Sequence, residues 1–209
     1  MGQSLNVSGL RFALQMLWRP QLLVPHITVP DMRLIPFEKL RDSGIRYMVF
    51  DKDNCLTAPY VDHLHPPFQT AWDTCRRIFP DNQIVIVSNS AGTADDAGYL
   101  AAETVERALG VPVLRHRVKK PACASEIIKY LGANGPEEVA VVGDRLATDV
   151  AMANESGMLS VWTRDIITAQ GDNAMAALLR RGEHRLLDLL RSFNVKPPNT
   201  HKWTDGSLK

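Results

Sequence analysis

Several things are scarce or missing in this chain. Its three cysteines, Cys55, Cys75 and Cys123, form no Cys-x-x-Cys pair, so neither a zinc site nor a disulfide framework is expected, and a reducing compartment is implied. Charge of one sign is lacking too. Lys and Arg total 24 against 23 for Asp and Glu, a formal net charge of +1, which argues neither for nucleic acid nor for an acidic tail, and no nucleic-acid partner is expected. No stretch reaches the roughly 18 to 20 apolar residues of a membrane span. There is no internal repeat and no low-complexity segment. A cleaved secretory signal is not expected, since no charged region precedes the first apolar run and no small-residue cleavage site follows it.

What is present is an ordinary globular composition, 45% hydrophobic and 22% charged over 209 residues, enough for one domain with a substantial core. The first apolar segment is amphipathic. Leu10, Phe12, Ala13, Leu14, Met16, Leu17 and Trp18 surround a stripe of Arg11, Gln15 and Arg19, which suits either an interfacial helix at a membrane surface or a helix packed on the domain or on another copy of the chain. Met1-Gly2 hints at myristoylation, but Asn6 stands where Ser or Thr is needed. Pro20, Pro25, Pro30 and Pro36 follow, and they predict an extended connector closing an N-terminal segment of residues 1–40.

From there the pattern alternates. Strands are predicted at Ile45–Phe50, Gln83–Val87, Val111–Leu114, Val139–Val142 and Leu159–Trp162. Helical patterns lie between them at about Pro67–Ile78, Ala94–Leu109, Ala122–Leu131 and Ala147–Glu155, with Gly110 and Gly132 as stops. Repeated β-then-α at this spacing predicts an α/β fold with an open parallel sheet and helices on both faces, over residues 41–193. A last amphipathic helix over about 173–192 precedes a polar tail, 194–209, read as mobile or partner-dependent.

The chemistry collects at the predicted strand ends, where open parallel sheets bind ligands. After Tyr47-Met48-Val49-Phe50 come Asp51 and Asp53, two acids on one side of an extended segment. Such a pair repels unless a cation intervenes. The next strand runs into Ser88-Asn89-Ser90, whose hydroxyl and turn amides can meet an anionic oxygen, though caps use the same residues. Lys119-Lys120-Pro121 places a cation before a helix. Finally Val139-Ala140-Val141-Val142 leads into Gly143-Asp144-Arg145-Leu146-Ala147-Thr148-Asp149, a tight turn with two more carboxylates.

Acid pair, hydroxyl, lysine and acid pair, in that order, resemble the four motifs of the haloacid dehalogenase superfamily of phosphotransferases. A phosphate monoester must be neutralised and held in line with its attacker, and Mg²⁺ takes oxygen ligands and needs only a few carboxylates. The resemblance implies a Rossmann-like fold with Asp51 as the nucleophile that becomes an aspartyl-phosphate. It implies Asp53 as the acid and then the base, its backbone carbonyl also reaching the metal. Asp51, Asp144 and Asp149 join Asp53 around Mg²⁺, Ser88 and the Asn89 amide bind phosphate, and Lys120, or in competition Lys119, offsets charge. The short intervals 54–83 and 90–119 leave no room for a cap domain, so an open site is expected.

More narrowly, Asp51-Lys52-Asp53-Asn54-Cys55-Leu56-Thr57-Ala58-Pro59-Tyr60 with Gly143–Asp149 is similar to the mitochondrial phosphatidylglycerophosphatase family. That resemblance implies removal of the terminal phosphate from an anionic phospholipid on the way to cardiolipin, peripherally on the matrix side of the inner membrane. The N-terminus lacks the Arg- and Ser-rich character of a transit peptide. The alternatives are a soluble capless phosphatase acting on a phosphoprotein, a nucleic-acid end or a metabolite, and a membrane-associated assembly protein. Three further groups stay open. Arg115, His116, Arg117, Lys119 and Lys120 form a basic cluster that attracts lipid or is simply solvated. His63 and His65 touch a headgroup or are ordinary loop residues. The helix with Arg180, Arg181 and Arg185 is a membrane face or an oligomer contact.

Overall fold

The computed structural model describes residues 18–168 and 174–198; the apolar segment before Trp18, and the tail beyond residue 198, lie outside the described residues. Five strands form one sheet, all parallel: β1 (Ile27–Val29), β2 (Tyr47–Phe50), β3 (Ile84–Ile86), β4 (Val139–Gly143) and β5 (Leu159–Thr163), in the spatial order β1-β5-β4-β2-β3. Six α-helices accompany them among the described residues: α1 (Phe37–Asp42), α2 (Gln69–Ile78), α3 (Leu100–Leu109), α4 (Ala124–Leu131), α5 (Ala151–Ser156) and α6 (Ala174–Ser192).

Strand alternation sorts the core into two faces. Met48, Phe50, Ile84, Ile86, Ala140 and Val142 point to one side, against Trp72 and Cys75 of α2 and Val105 of α3. Val49, Val85, Val87, Val139 and Val141 point to the other, against Ile127 of α4 and Met152 of α5. Strands buried on both faces read as unbroken apolar runs, which is why these segments are so uniformly aliphatic. On the second face α6 packs Leu187 and Leu190 against Leu146, Val150 and Trp162. All three cysteines are buried, and burial pushes each thiol up and away from reactivity.

Two expectations change. Val111–Leu114 is not a full strand. It makes one bridge, Val113 to Ile86, closed by the Ile86 amide to Pro112 O and the Leu114 amide to Ile86 O, each at 2.9 Å, and the pairing does not extend to Pro112, which has no N–H. The fifth strand comes instead from the stretch expected as connector. Ile27–Val29 pairs with Val161–Thr163, and Pro25 and Pro30 bracket it, a placement that an edge strand tolerates. A polar network holds this segment down: Asn154 Nδ2 donates to Leu22 O and Val24 O, each at 2.8 Å, and Ser160 Oγ donates to Asn154 Oδ1 at 2.8 Å. His26 lies beside the same serine, its Nδ1 2.8 Å from Ser160 Oγ, and its Nε2 donates to Pro198 O at 2.7 Å. The start of the tail is therefore docked, with Val195 packed on the third cluster.

Register sets the site. Phe50 is level with Val142 on one side and Ile86 on the other. The three strands β4, β2 and β3 thus end together, and Asp51, Asp144 and Ser88 emerge side by side.

Candidate active site

Asp51 continues the sheet by one bond, its N–H donating to Val142 O at 2.9 Å. The chain then folds back sharply. The amides of Cys55, Leu56 and Thr57 all point at Lys52 O, and Asn54 takes a left-handed φ of 59°. This small loop brings Asp53 to the same cavity as Asp51. Lys52, buried beneath it, donates to Asp53 Oδ1 at 2.8 Å.

Lys120 is the centre of charge. Its Nζ donates to Asp51 Oδ1 at 2.6 Å and to Asp149 Oδ1 at 2.7 Å. Burial opposes the ammonium form, but the two carboxylates outweigh it and hold the lysine well above its ordinary value. Lys119 is elsewhere, exposed and paired with Asp95 at 2.6 Å, which decides between the two lysines as the cation at the acid cluster. Asn89 Oδ1 accepts the Lys120 amide at 2.8 Å, so the Asn89 side chain positions the lysine. His116, fully enclosed, braces the two loops together, with Nδ1 2.7 Å from Val118 O and Nε2 2.9 Å from Ser88 O.

Asp51, Asp144 and Asp149 each bring one carboxylate oxygen within 4.8 Å of the others. The Asp53 carboxylate is not in this group, so its expected share in a metal shell would rest on its backbone carbonyl. Asp144 is pushed up to about 8 by burial first and then by the charges of Asp51 and Asp149, against Arg180 and Arg145. Asp149 rises to about 6, again chiefly by burial, although Lys120 opposes. Its other oxygen accepts from the Arg145 amide at 3.2 Å. Three acids crowded at the floor of an α/β cleft are a donor set that suits a hard divalent cation, so Mg²⁺ fits Asp51, Asp144 and Asp149.

Gly143 has a different reason from the tight turn expected of it. A Cβ there would meet Asp149 Cγ at 2.3 Å, so the glycine makes room for the Asp149 carboxylate. Arg180 is the largest surprise. The sequence placed it on a membrane or oligomer face, yet it is buried, with Nε and Nη2 at 3.0 and 2.8 Å from Asp144 Oδ2. Glu183, one turn on, accepts the Leu146 amide at 3.1 Å. No strand-end pattern could have found these two, because α6 lies beyond the last strand.

The cavity is about 340 Å³ and is also lined by Ser88, Asn89, Pro59, Tyr60 and Arg145. His63 and His65 do not line it; His65 stacks edge-on against Phe68. The basic cluster is dispersed: Arg115 pairs with Glu106, His116 is internal, and Lys120 belongs to the site. No cap covers the cleft among the described residues.

A parallel α/β sheet whose strand ends gather three carboxylates, a buried lysine and a turn hydroxyl defines a phosphate-handling enzyme. Sequence comparison narrows that class. The family model described as mitochondrial PGP phosphatase matches residues 7–168. The chain is 40% identical over 190 residues to phosphatidylglycerophosphatase GEP4, mitochondrial, of Saccharomyces cerevisiae, covering 89% of this chain and 99% of that protein. It is 36% identical over 200 residues to phosphatidylglycerophosphate phosphatase 1, chloroplastic/mitochondrial, of Arabidopsis thaliana, covering 94% and 57%. A probable phosphatidylglycerophosphatase, mitochondrial, of Schizosaccharomyces pombe is 32% identical over 172 residues, covering 76% and 82%. The chain belongs to the mitochondrial PGP phosphatase family, whose named members are phosphoric monoester hydrolases. No solved structure gave a significant match.

Proposed function

We propose that this chain hydrolyses the terminal phosphomonoester of phosphatidylglycerophosphate, releasing inorganic phosphate and phosphatidylglycerol on the route to cardiolipin. The observation that carries the reading is the contact of one buried ammonium, Lys120 Nζ, with both Asp51 and Asp149, at the floor of an open cavity that Ser88 also lines.

Asp51 attacks phosphorus and the bond from phosphorus to the glycerol oxygen breaks, leaving the phosphoryl group on the Asp51 carboxylate. Asp53 gives its proton to the departing oxygen. It then takes one from the water that attacks the aspartyl-phosphate, which returns Asp51 and frees phosphate. Lys120 orients Asp51 and offsets the phosphate's charge. The Ser88 hydroxyl and the Asn89 amide hold the phosphoryl oxygens. Asp51, Asp144 and Asp149, with the Asp53 carbonyl, would hold Mg²⁺, which would supply charge neutralisation at the phosphoryl group.

The names of the relatives support a mitochondrial location. We further propose peripheral action on the matrix side of the inner membrane, in keeping with a lipid substrate. Phosphate release from micellar phosphatidylglycerophosphate tests the proposal. It should require Mg²⁺ and disappear in Asp51→Asn. Faster turnover of a soluble phosphoester than of the lipid would overturn the substrate, and turnover surviving in Asp51→Asn would overturn the covalent route.

A further inference from the structure

Helix α6 has two working faces. The inner one carries Arg180 to Asp144, Glu183 to the Leu146 amide, and Leu187 and Leu190 into the core. The outer one leaves Leu178, Leu179, Leu186, Leu189 and Phe193 between 40% and 73% exposed. At 100° per residue these five fall within about a third of a turn. Arg181 and Arg185 are exposed beside them and form no salt bridge among the described residues. An apolar stripe flanked by arginines is what an interfacial helix presents to an anionic bilayer. Scattered surface leucines need no explanation, but four aligned on a single helix, with Phe193 just past its end, do.

The position of the helix makes the stripe informative. Leu178 and Leu179 lie in the same turn as Arg180, whose guanidinium lines the catalytic cavity. Tyr60, in the loop after β2, is 80% exposed and lines the same cavity. An exposed aromatic thus lines the cavity, and the helix that lends the cavity Arg180 carries the apolar stripe.

We infer that the outer face of α6 is the surface by which the enzyme lies on an anionic phospholipid bilayer, with Tyr60 as a second contact, so that the open cleft faces the lipid headgroups. This rests on the lipid phosphatase reading above and identifies the face that meets the membrane. Arg181 and Arg185 draw the helix to anionic headgroups, and the leucines and Phe193 enter the boundary with the acyl chains. The cap is dispensable because the bilayer itself closes the cleft.

The test compares the full chain with Leu186→Asp/Leu189→Asp and with Arg181→Glu/Arg185→Glu. Each is floated with phosphatidylcholine–phosphatidylglycerol vesicles and with phosphatidylcholine vesicles, and circular dichroism melts check folding. Both variants should bind the anionic vesicles roughly tenfold more weakly or worse. Hydrolysis of soluble p-nitrophenyl phosphate should match that of the unaltered chain. Unchanged vesicle binding in both variants overturns the inference. So does loss of binding only on removal of residues 1–17, which would assign the role to the N-terminal apolar segment. A change in oligomeric state by light scattering, with vesicle binding intact, also overturns it and makes the face a contact between copies. Binding that depends on α6 in a chain that does not hydrolyse phosphatidylglycerophosphate supports the surface while sinking the substrate reading.

Discussion

Arg180 and Asp144, 36 positions apart, meet through two bonds to one oxygen: Nε at 3.0 Å and Nη2 at 2.8 Å from Asp144 Oδ2. The pair ties the last helix to the end of β4 and gives the most strongly perturbed acid of the cluster its own cation. Breaking a buried pair on one side leaves a charge without compensation, typically at a cost of about 3–5 kcal/mol. Arg180→Ala should lower both the melting temperature and kcat/KM, the latter by about a hundredfold. Arg180→Lys should recover only part, since lysine lacks the guanidinium geometry. Thermal melts with steady-state kinetics check this, and an Arg180→Ala enzyme with unchanged kcat/KM would remove the arginine from the site.

The two lysines give a sharp contrast. Lys120→Ala leaves Asp51 and Asp149 facing each other without their shared ammonium, and phosphate release should fall by about a thousandfold. Lys119→Ala loses only an exposed pair with Asp95, worth about 0–1 kcal/mol, and its turnover should stay within about twofold. Equal losses in the two variants would contradict this division of roles.

Gly143→Ala tests close approach. The new Cβ would stand 2.3 Å from Asp149 Cγ, so either the aspartate or the strand end must move. Overpacking of this kind costs about 1–3 kcal/mol. The displaced carboxylate should weaken Mg²⁺ binding measured by calorimetry by about tenfold, whereas Gly132→Ala, with nothing within 4 Å, should leave the affinity unchanged despite its left-handed backbone.

Divalent metal should stabilise the fold. Three acids that repel one another gain a cation, so saturating Mg²⁺ at about a hundred times its Kd should add about 2.7 kcal/mol. Differential scanning fluorimetry should show the rise in the unaltered chain and a much smaller one in Asp144→Asn. A flat response in the unaltered chain would remove Mg²⁺ from this site.

His26 gives a pH signature away from the site. Burial drives it down to about 4 from 6.5, against the opposing Pro198 carbonyl bond. The folded protein therefore binds that proton less tightly than the unfolded chain does. The stabilisation is complete above about pH 6.5 and is lost as pH falls toward 4, by about 3 kcal/mol. Asp144 and Asp149, raised in the fold, act with the opposite sign over the same range. The comparison that isolates the histidine is thus unaltered chain minus His26→Gln in urea melts between pH 7 and 4. The difference should shrink as pH falls; a constant difference would show that His26 does not change its charge there.

Much of this architecture was legible in the residues. Four of the five expected strands occur, since a strand buried on both faces declares itself as an unbroken apolar run. The exchanged strand was hidden for opposite reasons at the two edges. Val111–Leu114 has the right side chains, but Pro112 lacks the N–H that would extend its pairing beyond one bridge. Ile27–Val29 is only three residues long between prolines, too short for periodicity to register. Asp51, Asp53, Ser88, Lys120, Asp144 and Asp149 could be named in advance because each directly follows a strand or opens the next helix, where chain order and spatial order coincide.

The sequence by itself therefore determined the parallel α/β class, the acids at the strand ends, and the family. Tertiary structure alone decided which lysine reaches the acids, why Gly143 must lack a side chain, and that Arg180 lines the cleft. These depend on contacts between segments tens of residues apart, and local periodicity holds no record of such contacts. A strand end reports its own direction; which distant helix turns a guanidinium toward it is settled only when the core closes.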